Sequence, residues 1–187
     1  MKTLIINGSP RKNGDSMTLV NEMIHYLHGD MRVVHTYYDN INPCIDCRYC
    51  WHNDGCSIND EMQELYKLLD EVDNIILASP LHFSELTGKM LSFASRLQCF
   101  FVLRCIRKDS NFKLKNKNGV LVLTGGGDGS PNTAIASANI IFRHINTKLI
   151  GTVLSLQTND IPANEDVEAL SKAKDLAFRL SDLYKVV

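Results

Sequence analysis

No apolar stretch in the 187 residues approaches the roughly 18 to 20 that a membrane-spanning helix needs, and even Phe100 to Ile106 is interrupted by Arg104. A membrane partner is therefore not expected. An excess of one charge is also missing. The chain has 20 Lys+Arg against 21 Asp+Glu, a formal net charge of −1, which argues against a broad electrostatic grip on nucleic acid or anionic lipid. There is no Ser/Gly/Pro-rich linker, internal repeat or low-complexity tract, and the length is about 1.2 times the roughly 150 residues of a typical domain. A single domain over residues 1–187 is expected. The opening run to Ile6 is too short for a secretory segment and meets Gly8-Ser9-Pro10 at once, so it reads as a buried strand in a cytoplasmic protein.

Against these absences stand ordinary globular values, 44% hydrophobic and 22% charged, and six cysteines. Four of them, Cys44, Cys47, Cys50 and Cys56, fall within thirteen residues. In a reducing compartment such clustering points to metal ligation or redox chemistry before structural disulfides.

Short β-rich runs alternate with segments of helical period, the pattern of βαβ units and a mostly parallel sheet. Strands are expected at Thr3–Ile6, Arg32–Tyr37, Asn74–Ala78, Gly119–Thr124 and Leu149–Ser155. The first, third and fourth are continuous apolar runs, as strands covered on both faces should be. Helices are expected at Ser16–Leu27 with Ser16 as N-cap, and at Asp60–Val72 with Asp60 and Glu61 at its dipole-positive start. Three more are expected at Thr87–Cys105, Pro131–Arg143 and Asn164–Tyr184. The long apolar segment Thr87–Cys105 is a candidate subunit interface, with Cys99 and Cys105 as small core residues. The whole is an α/β three-layer sandwich with helices on both faces of the sheet. Ligands in such folds sit outside the carboxyl ends of the strands.

The loop after strand one, Asn7 to Thr18, offers small residues, the hydroxyls of Ser9, Ser16 and Thr18, and a helix amino end, a setting suited to a phosphate. Two familiar phosphate loops do not match. Five residues separate Gly8 from Gly14 and Asp15 stands where a nucleoside-triphosphate loop needs lysine, while the dinucleotide pattern GxGxxG is missing. A Ser-His-Asp or Cys-His arrangement is not evident either.

Ser79 to Met90 follows strand three, and Leu123 to Ser130 follows strand four. With the first loop these resemble the flavodoxin-like family of NAD(P)H-dependent FMN reductases and iron-sulfur flavoproteins. The resemblance implies a five-stranded parallel sheet in the order 2-1-3-4-5. It implies FMN phosphate binding by Ser9, Arg11, Ser16, Met17 and Thr18, and contacts to the ring from Pro80, Leu81, His82, Phe83 and Ser84 and from Thr124, Gly125, Gly126, Gly127 and Asp128. His82 stands where the family often has tyrosine, and Ser95-Arg96 where it often has Asp-Arg. The implied activity is an FMN-dependent oxidoreductase taking hydride from NAD(P)H and reducing a small-molecule acceptor: a quinone, a nitro or azo compound, a flavin or a metal ion. No catalytic side chain is required, because the flavin carries the chemistry. A homodimer or homotetramer is expected.

The spacing C-x2-C-x2-C-x5-C over the cysteine-rich loop 43–57 lets Cys44, Cys47, Cys50 and Cys56 close around a cuboidal centre. It resembles the compact motif of iron-sulfur flavoproteins, which implies a 4Fe-4S cluster and the alternative role of an electron-transfer carrier with redox protein partners. Structural zinc, a reversible disulfide and free thiols are the other readings of the same four residues. The basic stretch Arg104, Arg107, Lys108, Lys113, Lys115 and Lys117 reads as a solvated loop, or more sharply as an attractor of an adenosine 2′-phosphate.

Overall fold

The computed structural model describes residues 1–185. Five parallel strands, β1 (Lys2–Asn7), β2 (Asp30–His35), β3 (Asn74–Pro80), β4 (Lys117–Thr124) and β5 (Thr147–Ser155), form one sheet in the order β2-β1-β3-β4-β5. The inner strands β1, β3 and β4 are the continuous apolar runs. Their alternate residues feed two separate cores. Leu4, Ile6, Ile75, Leu77, Leu121 and Leu123 pack on one face, and Ile5, Ile76, Ala78, Val120 and Val122 on the other. Burying both faces is what removes the polar alternation from these strands.

Helices α1 (Asp15–Tyr26) and α6 (Val167–Lys185) cover the second of these faces. The first is covered by α2 (Met62–Glu71), α3 (Gly88–Ser95), the short α4 (Gln98–Phe101) and α5 (Asn132–His144). The sandwich is thus the flavodoxin-like one. Among the described residues, no helix is long and apolar enough to cross a membrane.

Several expected boundaries move. Strand two runs from Asp30 to His35 and not to Tyr37, because the amides of Tyr38 and Asp39 turn back onto the His35 carbonyl. Ser16 is not the N-cap of α1. Gly14 is, its carbonyl accepting from Met17 and Thr18, which places Ser16 in the first turn. The last helix begins at Val167 because Pro162 to Asp166 forms a turn, with Asp166 Oδ1 accepting from the Ala169 amide.

The expected long helix Thr87–Cys105 is three pieces. The α3 helix stops at Ser95, the amides of Arg96 and Leu97 bond three residues back to Phe93 and Ala94, and α4 then runs into a π-helical turn, Val102–Ile106. Ser95 competes for the helix backbone through its hydroxyl, which donates to Ser92 O at 2.7 Å. Arg96 is drawn inward at the break. Cys99 is buried as expected, but the wider π turn leaves Cys105 exposed, not in the core.

The basic stretch does not reach the carboxyl ends of the strands. It ends in the first residue of β4, where Lys117 is buried and Lys115 pairs with Asp73, while Arg107 pairs with Asp54 of the cysteine loop at 2.9 Å.

Candidate functional site

Three loops meet at the carboxyl ends of β1, β3 and β4. The first is pinned at Gly8, whose amide donates to Ala78 O at 2.7 Å and whose carbonyl accepts from Thr87 Oγ1 at 2.6 Å. A Cβ at Gly8 would lie 3.0 Å from Met90 Cβ, so glycine permits α3 to approach this closely. Beyond it, Ser9 Oγ accepts from the Arg11 amide and the Ser9 amide donates to Asn7 Oδ1. Tyr38 O–H donates to Pro10 O at 2.6 Å, and the Lys12 ammonium lies 4.6 Å from the centre of that tyrosine ring. These contacts fix a loop that would otherwise be mobile.

The amino end of α1 has no side-chain cap. Its first amides, at Asp15 and Ser16, have no acceptor within the helix, so they and the positive end of the helix dipole are available to an anion. Asp15, in the first turn, turns its Oδ1 to the Ala163 amide at 3.2 Å. Ser16 is buried, its Oγ 2.8 Å from Thr124 Oγ1. One of the two hydroxyl protons makes that bond, leaving the other to donate elsewhere. Met17 is buried beneath the loop, and Thr18 Oγ1 donates to Gly14 O at 3.4 Å.

The second loop is tied to the same place, with Leu81 N–H donating to Thr124 O at 2.7 Å. His82 and Glu85 exchange backbone hydrogen bonds around Phe83 (φ 54°) and Ser84 (φ 62°). Positive φ at both central positions is what a type I′ turn demands and what non-glycine residues resist, a bulky aromatic most of all. Phe83 is nonetheless fully exposed. Glu85 braces the turn, Oε2 accepting from Ser137 Oγ at 2.7 Å and Oε1 from the Leu86 amide. The third loop begins as the Gly125 amide donates to Ser155 O, and Thr158 returns its amide and hydroxyl to Gly125 O. Gly125 and Gly129 lie against Leu81, and Gly129 also faces Ser84. Gly126 packs on Asn159, Gly127 is open, and Asp128 is exposed at the tip. The structure thus brings the expected residues of all three loops together, through Ser16–Thr124, Leu81–Thr124 and Gly129–Ser84.

The cysteine loop lies elsewhere. It is moored at the far end of α3, where the Cys44 amide donates to Ser95 Oγ at 2.9 Å. Asp46 and Arg48 both take positive φ, Arg48 sits over the Trp51 ring, and Gln63 Nε2 donates to the carbonyls of Cys56 and Ile58. Cys44, Cys47, Cys50 and Cys56 line one hollow together with Ser57, Ile58, Arg96 and Cys99. Cys47 Sγ lies 3.1 Å from Ser57 Oγ, and that hydroxyl holds its thiol below the usual range. Burial pushes the Cys50 thiol up, and the neighbouring Cys56, Cys44 and Cys47 add to the effect. All six cysteines are free, and among the described residues no three His, Cys, Asp or Glu side chains converge in the geometry of a single bound ion.

The profile of the NADPH-dependent FMN reductases matches residues 1–160. The chain belongs to that family. Among curated proteins, this FMN reductase family member is 27% identical to an iron-sulfur flavoprotein of Archaeoglobus fulgidus, over 99% of this chain and 81% of the other. It is 26% identical to an iron-sulfur flavoprotein of Methanocaldococcus jannaschii, over 100% and 99% of the two chains. Its fold is similar to that of a flavone reductase (TM-score 0.71, 16% identity, 99% of this chain and 63% of the other). It is also similar to an FMN-dependent NADH-azoreductase from Bacillus anthracis in complex with FMN (TM-score 0.66, 13% identity, 96% and 99%).

Against the family pattern, reading the residues missed Arg96 and Asp60 as a unit. Asp60 reads locally as a helix-start carboxylate, yet its Oδ2 lies 2.6 Å from Arg96 Nη1 in a buried ion pair. The Arg96 hydrogen bond holds the Asp60 carboxyl below its usual range, although burial pushes the other way. The one available signal was the departure at Ser95-Arg96 from the reductase family's Asp-Arg. Ser57, Gln63 and Ser95, which set the shape of the cysteine loop, carry no sequence signal of that role.

Proposed function

We propose that this member of the NADPH-dependent FMN reductase family binds FMN at the three-loop junction and acts as an oxidoreductase between NAD(P)H and a small-molecule acceptor. The observation that carries the reading is the uncapped amino end of α1, set beside the buried Ser16–Thr124 hydroxyl pair where the three loops meet. A phosphate fits there. Amides, hydroxyls and a helix dipole supply donors, and Asp15 in the same turn accepts from the Ala163 amide. Ser9, Arg11, Ser16, Met17 and Thr18 would hold the phosphate end. Pro80, Leu81, His82, Phe83 and Ser84 would frame one side of the ring, and Thr124, Gly125, Gly126, Gly127 and Asp128 the other. Bound FMN supplies two-electron acceptance from nicotinamide and delivery of electrons singly or in pairs. The chain's part is to bind and orient, with backbone donors at the ring edge and an exposed aromatic, Phe83, on a braced turn. The acceptor class is a quinone, a nitro or azo compound, a flavin or a metal ion, in a cytoplasmic homodimer or homotetramer built from this single domain.

A second reading is favoured by a separate observation. Four thiols line one hollow, and relatives matched along 99% and 100% of the chain are iron-sulfur flavoproteins. Zinc would gather its thiolates to about 2.3 Å from one point. A 4Fe-4S cluster instead takes one thiolate per iron around a wider space, which suits a donor set that lines a hollow without converging. In that reading Cys44, Cys47, Cys50 and Cys56 hold the cluster, and the protein carries electrons to redox partners. Anaerobic purification with an absorption spectrum and iron and sulfide assays separates the two. Flavin bands without iron would remove the carrier reading, and no flavin after reconstitution with FMN would remove both.

A further inference from the structure

A guanidinium is always charged and offers five N–H donors in a rigid plane, so burying one makes heavy demands on its surroundings. Arg96 meets most of them. Its side chain is 0% exposed, Nη1 donates to Asn42 O at 2.9 Å and to Asp60 Oδ2 at 2.6 Å, and Nη2 donates to Ile58 O at 3.3 Å. Asn42 and Ile58 flank the cysteine loop 43–57, so one planar group closes that loop from both sides. Tyr66 O–H, donating to Arg96 O at 2.9 Å, holds the backbone beneath it. Burial would lower the basicity of Arg96, but the Asp60 hydrogen bond and the negative ends of Tyr66 and Cys56 outweigh it and push the pKa up.

One donor is unmet. Nε–H of Arg96 is buried and has no acceptor among the described residues, although Arg96 lines the hollow with all four thiols. Buried donors, charged ones above all, are costly to leave unpaired and are rarely left so. We infer that Arg96 is a positioning residue for the occupant of this hollow, stapling the cysteine loop shut and donating Nε–H to a sulfur of a thiolate-held iron-sulfur cluster. The inference rests on the iron-sulfur reading above. Hydrogen bonds to cluster sulfurs and nearby charge are among the levers that set reduction potential, because they favour the more negative, reduced state. Lysine at this position would keep the charge but lose both the Nε–H and the fork that spans Asn42 and Ile58.

The test uses the full chain, purified anaerobically and reconstituted with FMN, iron and sulfide, with the cluster's midpoint potential followed by its absorption. Arg96→Lys is expected to lower the reduced-to-oxidised ratio about tenfold at a fixed potential, a shift of ~59 mV for a one-electron couple, at unchanged FMN content. Asp60→Asn keeps an acceptor for Nη1 while removing the negative charge, and is expected to shift the potential the opposite way. Far-UV circular dichroism checks folding, and if Arg96→Lys does not fold, Asp60→Asn decides alone. Wild-type protein that takes up no cluster overturns the iron-sulfur reading and this inference together. Wild-type protein with a cluster, and variants whose potential does not move, overturn this inference alone.

Discussion

Replacing Ser16 by alanine isolates the phosphate end of the proposed flavin site. In the cofactor-free chain the loss falls on Thr124, whose buried Oγ1 forfeits its 2.8 Å partner, at a cost of about 1–3 kcal/mol in stability. In the flavin complex the hydroxyl pair no longer has a proton to spare for an anion. A hydrogen bond to a charged group contributes about 1.5–3 kcal/mol, so the FMN dissociation constant should rise roughly 10- to 150-fold. Riboflavin, which has the same ring and no phosphate, should lose little affinity. Flavin fluorescence titrations of both ligands on wild-type and Ser16→Ala protein give the four constants needed, and the informative quantity is the preference for FMN over riboflavin. That preference should fall by the same 10- to 150-fold. An equal loss for both flavins would mean that Ser16 acts only through folding, and no loss for either would remove the first loop from the site.

The buried Asp60–Arg96 pair makes a strong stability prediction. Asp60→Ala leaves a buried guanidinium without its counter-charge and should cost about 3–5 kcal/mol, or roughly 6 to 20 °C in Tm for a chain of this size; a loss below about 1 kcal/mol in urea denaturation would contradict the pairing. Lys117 is pushed down to about 8 by burial. Because its folded value lies below the unfolded one, the unfolded chain binds the extra proton between about pH 8 and the usual lysine value, so stability should rise through that window. Lys117→Met should flatten that rise, and urea midpoints measured from pH 7 to 10.5 would show it; a wild-type midpoint that does not increase would refute the assignment. At the strained turn, Phe83→Asn with Ser84→Gly supplies the residues that positive φ favours and should stabilise the flavin-free chain by about 1–2 kcal/mol. The same pair should weaken FMN binding if Phe83 frames the ring, and undiminished affinity in the fluorescence titration would place the aromatic outside the site.

Strand positions were readable because a strand buried on both faces has no polar residue to spare, whereas the sheet order came from the family resemblance. Leu4-Ile5-Ile6, Ile75-Ile76-Leu77 and Val120 to Leu123 end up as the three inner strands, with zero exposure along each run. The loops proposed to hold FMN were picked out by the resemblance, and the small residues in them have a local cause: a β-α turn that must approach α3 as closely as Gly8 does, or rise beside Asn159 as Gly126 does, is confined to small residues. The break after Ser95 was not readable. Met90, Phe93, Leu97 and Phe100 keep helical spacing straight through it, and beside the local Ser95 hydroxyl bond stands a tertiary partner, Asp60, thirty-six positions away in sequence from the Arg96 side chain it holds. Periodicity reports which residues face the core, and it is silent on a guanidinium that faces the core because a distant carboxylate is already there. Cys105 is likewise invisible to periodicity, because it lies in the π turn Val102–Ile106 and is exposed.

The two candidate centres sit at opposite ends of one short helix. At its amino end Thr87 caps α3, its Oγ1 accepting from Met90 N–H and donating to Gly8 O, which locks the helix to the loop after β1. At its carboxyl end Ser95 takes the Cys44 amide and Arg96 takes the carbonyls on both sides of the cysteine loop. Eight residues of α-helix span about 12 Å, so the points at which α3 holds the first loop and the cysteine loop lie a helix length apart. This spacing is rigid, since Met90 and Phe93 on α3 are wholly buried against the sheet and each end is hydrogen-bonded to the loop it serves. The break at Arg96 is therefore part of the arrangement. A continuous helix would carry Arg96 onward along the axis, whereas the tight turn there lets the guanidinium reach both ends of the cysteine loop.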